Sequence, residues 1–209
     1  MRGWVRFFGR KSAIVNAPFA LGLVPVQNRY LSWAALAGIP LQQIEQTRRQ
    51  IQANAPRNGR VVIHLGAQWR SKQYPHVLQL RDHLRRDHNE VVLVAGPKDL
   101  LPANLGKMEV IRAADQELVD LLRSAEHVIT NDSGPMHLAA FLGCRTTVVV
   151  RTSPIEEWLP PATQMVRSPE TPRGYRPHPR YMTDETLSGW PDPETIAAAV
   201  REYDQNVAK

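Results

Sequence analysis

From residue 60 onward, short runs that are apolar throughout alternate with segments of helical period, and that alternation restricts the fold more than any other feature. The runs are "RVVIHL" (60–65), "EVVLVAG" (90–96), "MEVIR" (108–112), "HVITN" (127–131) and "RTTVVV" (145–150). Between them, "PHVLQLRDHL" puts Val77, Leu80 and Leu84 on one face, with Pro75 at the first helical position. "DQELVDLLRSA" (115–125) does the same with Leu118, Leu121, Leu122 and Ala125, and Asp115 is its expected cap. Strands apolar on both faces must be covered on both, which a parallel sheet with helices on each side achieves. The expected class is α/β, a doubly wound parallel sheet.

The flanks are less regular. Residues 1–27 have no clean period; Asn28 offers a cap to "RYLSWAALA", which Gly38 and Pro40 would stop. "LQQIEQTRRQIQ" continues as a polar helix, and "NAPRNG" (54–59) is a linker by composition. After Val150 the pattern degrades into a proline-rich stretch ending at "LSGW", and a last helix is announced by Asp192 as cap and Pro193 behind it, with Ile196, Val200 and Tyr203 on one face. The expected divisions are an N-terminal remnant and linker (1–57), a sheet domain (58–190) and a C-terminal helix (191–209).

With 43% hydrophobic and 22% charged residues, the 209-residue chain is an ordinary globular protein rather than a disordered one. A net charge of +6 suits nucleic acid, an anionic membrane surface or an anionic substrate. Basic residues are scattered, as in "RDHLRRDH", and no zinc-finger, basic-zipper or RNA-binding signature accompanies them, which disfavours nucleic acid. The single cysteine, Cys144, excludes an intrachain disulfide and sits in an apolar run as a small buried residue. The basic, partly apolar N-terminus resembles a signal peptide, but Asn16, Pro18, Gly22 and Pro25 interrupt it, and no run reaches the ~18–20 apolar residues of a membrane span. A cytoplasmic chain is expected.

Chemistry concentrates in "VITNDSGPMHLAAFLG" (128–143). In doubly wound sheets the ligand sits beyond the carboxyl ends of the strands, where helix N-termini aim unsatisfied N–H groups and partial positive charge at it. Gly134 permits close backbone approach, Pro135 starts a helix, and an anion such as phosphate fits at the amides of Gly134 to His137. The alternative is that Asp132 or Ser133 merely caps that helix. Ser133 lies in no Gly-x-Ser-x-Gly elbow, and Asp132 with His137 gives too few ligands for a metal, so no metal site is expected. The second candidate is "HLGAQWRSKQYP" (64–75), where Gly66 opens a turn and Lys72 can reach a phosphate at the same edge. Its plainer reading makes Arg70 and Lys72 solvated and Trp69 and Tyr74 partial core.

These loops, with "VVLVAG", "ELVDLLRSAEHVITNDSGPMHLAAFLG" and "SPIEEWLPP" in the same order over residues 60–161, resemble the C-terminal half of glycosyltransferase family 9, the heptosyltransferases of lipopolysaccharide core assembly. The resemblance implies a GT-B architecture of two Rossmann-like domains facing a cleft. The C-terminal one binds a nucleotide-sugar donor, commonly ADP-L-glycero-D-manno-heptose, without cofactor or metal. It implies that Lys72 contacts donor phosphate and sugar and that Asp132 holds sugar hydroxyls, the two forming the catalytic pair. Gly66, Ala67 and Gln68 would line the phosphates, Asp99 would reach the ribose, and Ser133, Gly134, Pro135, Met136 and His137 would form the pyrophosphate cradle. From the residues themselves, Met136 and the 112–118 loop are the candidates for contact with the base, and their types do not choose adenine over uracil.

Departures from the family pattern accompany it. Only about sixty residues precede the donor domain, where the family has a whole acceptor domain with its carboxylate base. Arg151 stands where the family usually has Gly, and cysteines frequent near the family's C-terminal end are absent. The expectation is therefore a donor-binding domain that transfers little alone to a lipopolysaccharide-core or other glycan acceptor. Peripheral membrane contact and self-association through uncovered apolar faces of the 28–37 and last helices are further expectations. A nucleotide or nucleic-acid binding module of the same fold is the alternative.

Overall fold

A computed structural model describes residues 37–54, 58–151, 155–161, 163–168 and 189–207. The five expected strands form where their apolar runs lie: β1 (Arg60–His64), β2 (Glu90–Ala95), β3 (Ile111–Arg112), β4 (His127–Asn131) and β5 (Arg145–Val150). A sixth, β6 (Gln164–Arg167), comes from the stretch read as irregular, because four residues between prolines give no usable period. All pairings are parallel, in the order β3-β2-β1-β4-β5-β6. The order reverses between β1 and β4, so the loops leaving those two strands part there and open a crevice.

Among the described residues, five α-helices accompany the sheet: α1 (Leu41–Asn54), α2 (Val77–Leu84), α3 (Asp115–Ser124), α4 (Gly134–Phe141) and α5 (Pro193–Val207). Val77, Leu80 and Leu84 of α2 are almost wholly buried against Val61, Ile63 and Leu93 of the sheet. Each such side chain contributes about 1.5–3 kcal/mol relative to exposure. On the other face, Leu122 and Ala125 pack with Val62, Val94 and Val128.

Helix starts differ from expectation in two places. Pro75 lies ahead of α2, whose N-cap is His76. Asp115 does not cap α3; Ala114 holds that position, and Asp115 is the first helical residue with φ +47, a left-handed conformation that aspartate tolerates better than most residues. Asp192 does cap α5, accepting the Thr195 N–H at 3.0 Å and the Thr195 hydroxyl. The apolar face of α5 is covered: Ile196, Ala197 and Val200 are fully buried in the same core as β1 and α2, so this helix is part of the sheet body and offers no uncovered face for self-association. The polar helix 41–54 forms as expected, while the 28–37 helix, like the proline-rich 169–188 stretch, lies largely or wholly outside the described residues.

Candidate functional site

The chain reversal brings the two predicted loops together. Lys72, in the 3-10 turn Arg70–Lys72 after β1, places its ammonium 2.5 Å from the Asp132 carboxylate at the end of β4. The ammonium also lies 4.9 Å from the centroid of the Trp69 ring. Both members of the pair are largely shielded, and a charge-assisted bond of this kind contributes about 1.5–3 kcal/mol. Lys72 is therefore no solvated loop residue.

Asn131 makes that meeting possible. Buried at the last position of β4, it donates to the Leu65 carbonyl at 2.9 Å and accepts the Tyr74 N–H at 3.0 Å, clamping both ends of the β1 loop. Tyr74 is core, its hydroxyl donating to the Pro191 carbonyl and its ring set edge-on to Trp190; burial raises its pKa. The positioning role of Asn131 is a functional feature the loop motifs missed; an amide closing an otherwise apolar strand was the available signal.

The Asp-Ser-Gly-Pro segment does not cap its helix. Ser133 is the N-cap residue in extended backbone, yet makes no side-chain capping bond; its hydroxyl donates to the Asn131 carbonyl at 3.3 Å. The proposed row of amides is narrower than expected. Pro135 has no N–H, and Met136 donates to the Ser133 carbonyl at 3.1 Å, which removes two of the four; Gly134 is exposed at the first position of α4. The side chain of Met136 is fully buried with Val148, Val150 and Ile155, so it does not reach a base; the apolar period of α4 turns it into the core. His137 is half-buried, and burial, opposed by Asp132, holds its pKa below the usual range. It stands at this edge as a neutral imidazole at pH 7, able to donate one hydrogen bond but adding no charge.

Gly66 is buried in the turn, and an added Cβ there would displace the Asp99 carboxylate. Asp99 in turn accepts the Gly96 N–H at 2.7 Å within the loop after β2, its carboxylate lying against Gly66 of the β1 loop. Ala67 is half-buried and Gln68 exposed on the same loop. The crevice between the loops is lined by Ser71, Lys72, Asp132, Val150, Arg151 and Trp190. Trp190 went unnoticed in the sequence because its neighbours are Gly and Pro rather than a periodic segment. Among the described residues, no group of three or more His, Cys, Asp or Glu side chains converges as a metal site would require, and no helix is long and apolar enough to cross a membrane.

A six-stranded parallel sheet covered by helices, with an ion pair and an open helix start at its switch point, defines the class: a Rossmann-like, doubly wound α/β domain. The chain belongs to glycosyltransferase family 9 (heptosyltransferase), whose family model matches residues 35–169. Among solved structures, it is similar to E. coli ADP-heptose lps heptosyltransferase II at 21% identity, over 82% of this chain and 54% of that one, with a TM-score of 0.54. It is also similar to the iron-containing dodecameric glycosyltransferase TibC from enterotoxigenic E. coli H10407, at 17% identity over 74% of this chain and 48% of that one, TM-score 0.55. TibC is known in complex with ADP-D-beta-D-heptose; there the match is 17% identical over 73% of this chain and 47% of that one, TM-score 0.55. The chain thus spans about half the length of the solved structures it matches. No curated protein sequence is significantly similar to it.

Proposed function

We propose that this chain binds the nucleotide-diphosphate sugar of a glycosyl transfer, with an ADP-heptose-type donor as its ligand. The observation that carries the reading is the union of Lys72 and Asp132 across sixty residues of chain, beside the open start of α4. Asp132 holds sugar hydroxyls, while Lys72 and the Gly134 N–H take up charge on the departing diphosphate, a stabilisation that needs no metal. Inverting transfer also needs a base and a bound acceptor hydroxyl, a lipopolysaccharide-core or related glycan in this reading. Donor binding by itself gives little turnover, because transition-state stabilisation requires both sides of a cleft. A cytoplasmic location with peripheral contact at the membrane that carries the acceptor belongs to the same reading.

Gly134 supports it independently. Its φ is not positive and an added Cβ would meet nothing within 4 Å, so the fold does not require glycine there. A ligand approaching the backbone does. Calorimetric titration with ADP, UDP and GDP tests this. Wild type should bind one of them saturably, Lys72→Ala about 10- to 100-fold more weakly, and Gly134→Ala more weakly at an unchanged or higher melting temperature. A folded wild-type chain that binds none of the three ends the proposal.

A further inference from the structure

We propose that Tyr74 is the positioning residue of the Lys72 loop and that its anchor is the Trp190–Pro191 segment ahead of α5, so that this late segment helps to set the site. The inference rests on the donor-binding reading and adds to it residues beyond 169, where the match to the family ends. Tyr74 follows the 3-10 turn that carries Lys72, one residue past the Gln73 N–H that donates to the Arg70 carbonyl at 2.9 Å. It is held at two ends. Its backbone N–H donates to Asn131 Oδ1 at 3.0 Å, and its phenolic hydroxyl donates to the Pro191 carbonyl at 3.0 Å. A residue bonded only through its backbone can pivot about that bond, whereas one pinned at both ends of a rigid ring cannot.

The anchor is firm. Tyr74 and Trp190 are both buried, their rings meet edge-on with centroids 5.6 Å apart, and both belong to the core that takes in Ile196, Ala197 and Val200 of α5. Burial, reinforced by the Asp192 carboxylate, pushes the phenol's pKa up, so the hydroxyl keeps its proton and stays a donor across the physiological range. Trp190 also lines the crevice beside Lys72 and Asp132, so the anchor and the charged pair border one space. The neighbouring attachment of the loop, from the Gln73 side chain to the Leu100 carbonyl at 3.0 Å, lies at the exposed surface, where water competes for both groups. The Tyr74 hydroxyl is the buried bond that ties the Lys72 loop to the segment leading into α5. A charged group displaced by about 1 Å from its working position can lose on the order of 100-fold in effect, so this bond bears on binding as well as on stability.

Tyr74→Phe keeps the ring and removes the hydroxyl alone. ADP would be titrated into wild type, Tyr74→Phe, Lys72→Ala and the double variant, with melting temperatures recorded for each and Leu84→Ala, at the far end of α2, as a control. Tyr74→Phe should melt lower and bind ADP about 3- to 10-fold more weakly. In the Lys72→Ala background the same change should cost no further affinity, because the hydroxyl acts through Lys72. Leu84→Ala should melt lower still and bind ADP as wild type does, which separates position from stability. Should Tyr74→Phe not fold, Trp190→Phe repeats the cycle from the other side of the ring contact, with the same pattern expected and the same outcomes against it. If the variant binds ADP as wild type does, or loses equally in both backgrounds, the positioning role is wrong and the donor site stands. If no nucleoside diphosphate binds folded wild type, both fall together.

Discussion

Strand β4 carries polar groups at both of its ends, and the two ends are answered differently. At its foot, His127 is wholly buried, with Nδ1 3.1 Å from Asp204 and Nε2 2.8 Å from the Thr147 hydroxyl. Thr147 continues to Gln164 at 2.8 Å, Gln164 to the Ala199 carbonyl at 2.9 Å, and Arg145 joins Asp204 at 3.3 Å and Glu126 at 2.6 Å. The Tyr203 ring closes the cluster edge-on. Every link is supplied by β4, β5, β6 and α5 and the residue preceding β4. At its head, four residues away, Asn131 is satisfied, but beyond it the Ser71 hydroxyl lacks a partner and Gly134 faces open space. At the foot the buried imidazole of His127 has both ring nitrogens answered within the chain, whereas at the head the Ser71 hydroxyl is left over beside the proposed donor site.

Removing a link at the foot should have the largest effect on stability. Asp204→Ala strands a fully buried imidazole and a mostly buried guanidinium, and should cost about 2–3 kcal/mol, the exposed fraction of Asp204 reducing the penalty of a fully buried pair. Urea unfolding measures it. Nucleotide affinity of the folded fraction should not change, since the foot lies at the opposite end of the strand. A loss of affinity equal to the loss of stability would mean that the two ends are not separable.

Asn131→Ala should come next and should blur the comparison by design. It removes the acceptor of the Tyr74 N–H and the donor to the Leu65 carbonyl, at about 1–3 kcal/mol in unfolding. Because the same bonds hold the loop that carries Lys72, ADP binding should weaken as well. A variant that loses stability yet binds as wild type would show that the Lys72 loop is held by other contacts.

How legible all this was depends on range. Strands β1, β2, β4 and β5 could be read because their apolar runs lie in continuous sequence, and Val77, Leu80 and Leu84 because a helix face repeats locally. The pairing of Lys72 with Asp132 was foreseeable as a shared edge, once two loops were assigned to one side of a parallel sheet. Four things depended on tertiary context. Met136 turned inward because the helix phase, fixed by packing on β5, gives that position to the core. The Ser133 hydroxyl turned back to Asn131 instead of forward to the helix amides, a choice between two local acceptor and donor sets that composition does not decide. Strand β6 exists through its pairing with β5, and α5 joins the body through α2, neither of which leaves a periodic trace.

The smallest effect concerns protons, and it separates head from foot by a ligand. His64 ends β1 at the head, and burial pulls its pKa down against a raising influence from Asp99; its Nδ1 has no partner among the described residues. His137 at the head and His127 at the foot are lowered too, burial outweighing their aspartates. A lowered folded-state pKa means that the unfolded chain takes up more protons as pH falls below about 6.5, the ordinary histidine value, so stability is full above that pH and drains below it. The melting temperature should therefore fall from pH 7.5 to 5.5, in a window above most carboxylate titration, and His64→Leu should fall less steeply than wild type. Saturating ADP should flatten the slope further, because a bound diphosphate favours protonated His137 at the head while leaving His127 at the foot untouched. A slope that ADP leaves unchanged would place His137 outside the reach of the bound anion, and the head of β4 would then recognise its ligand through Lys72 and its neighbours alone.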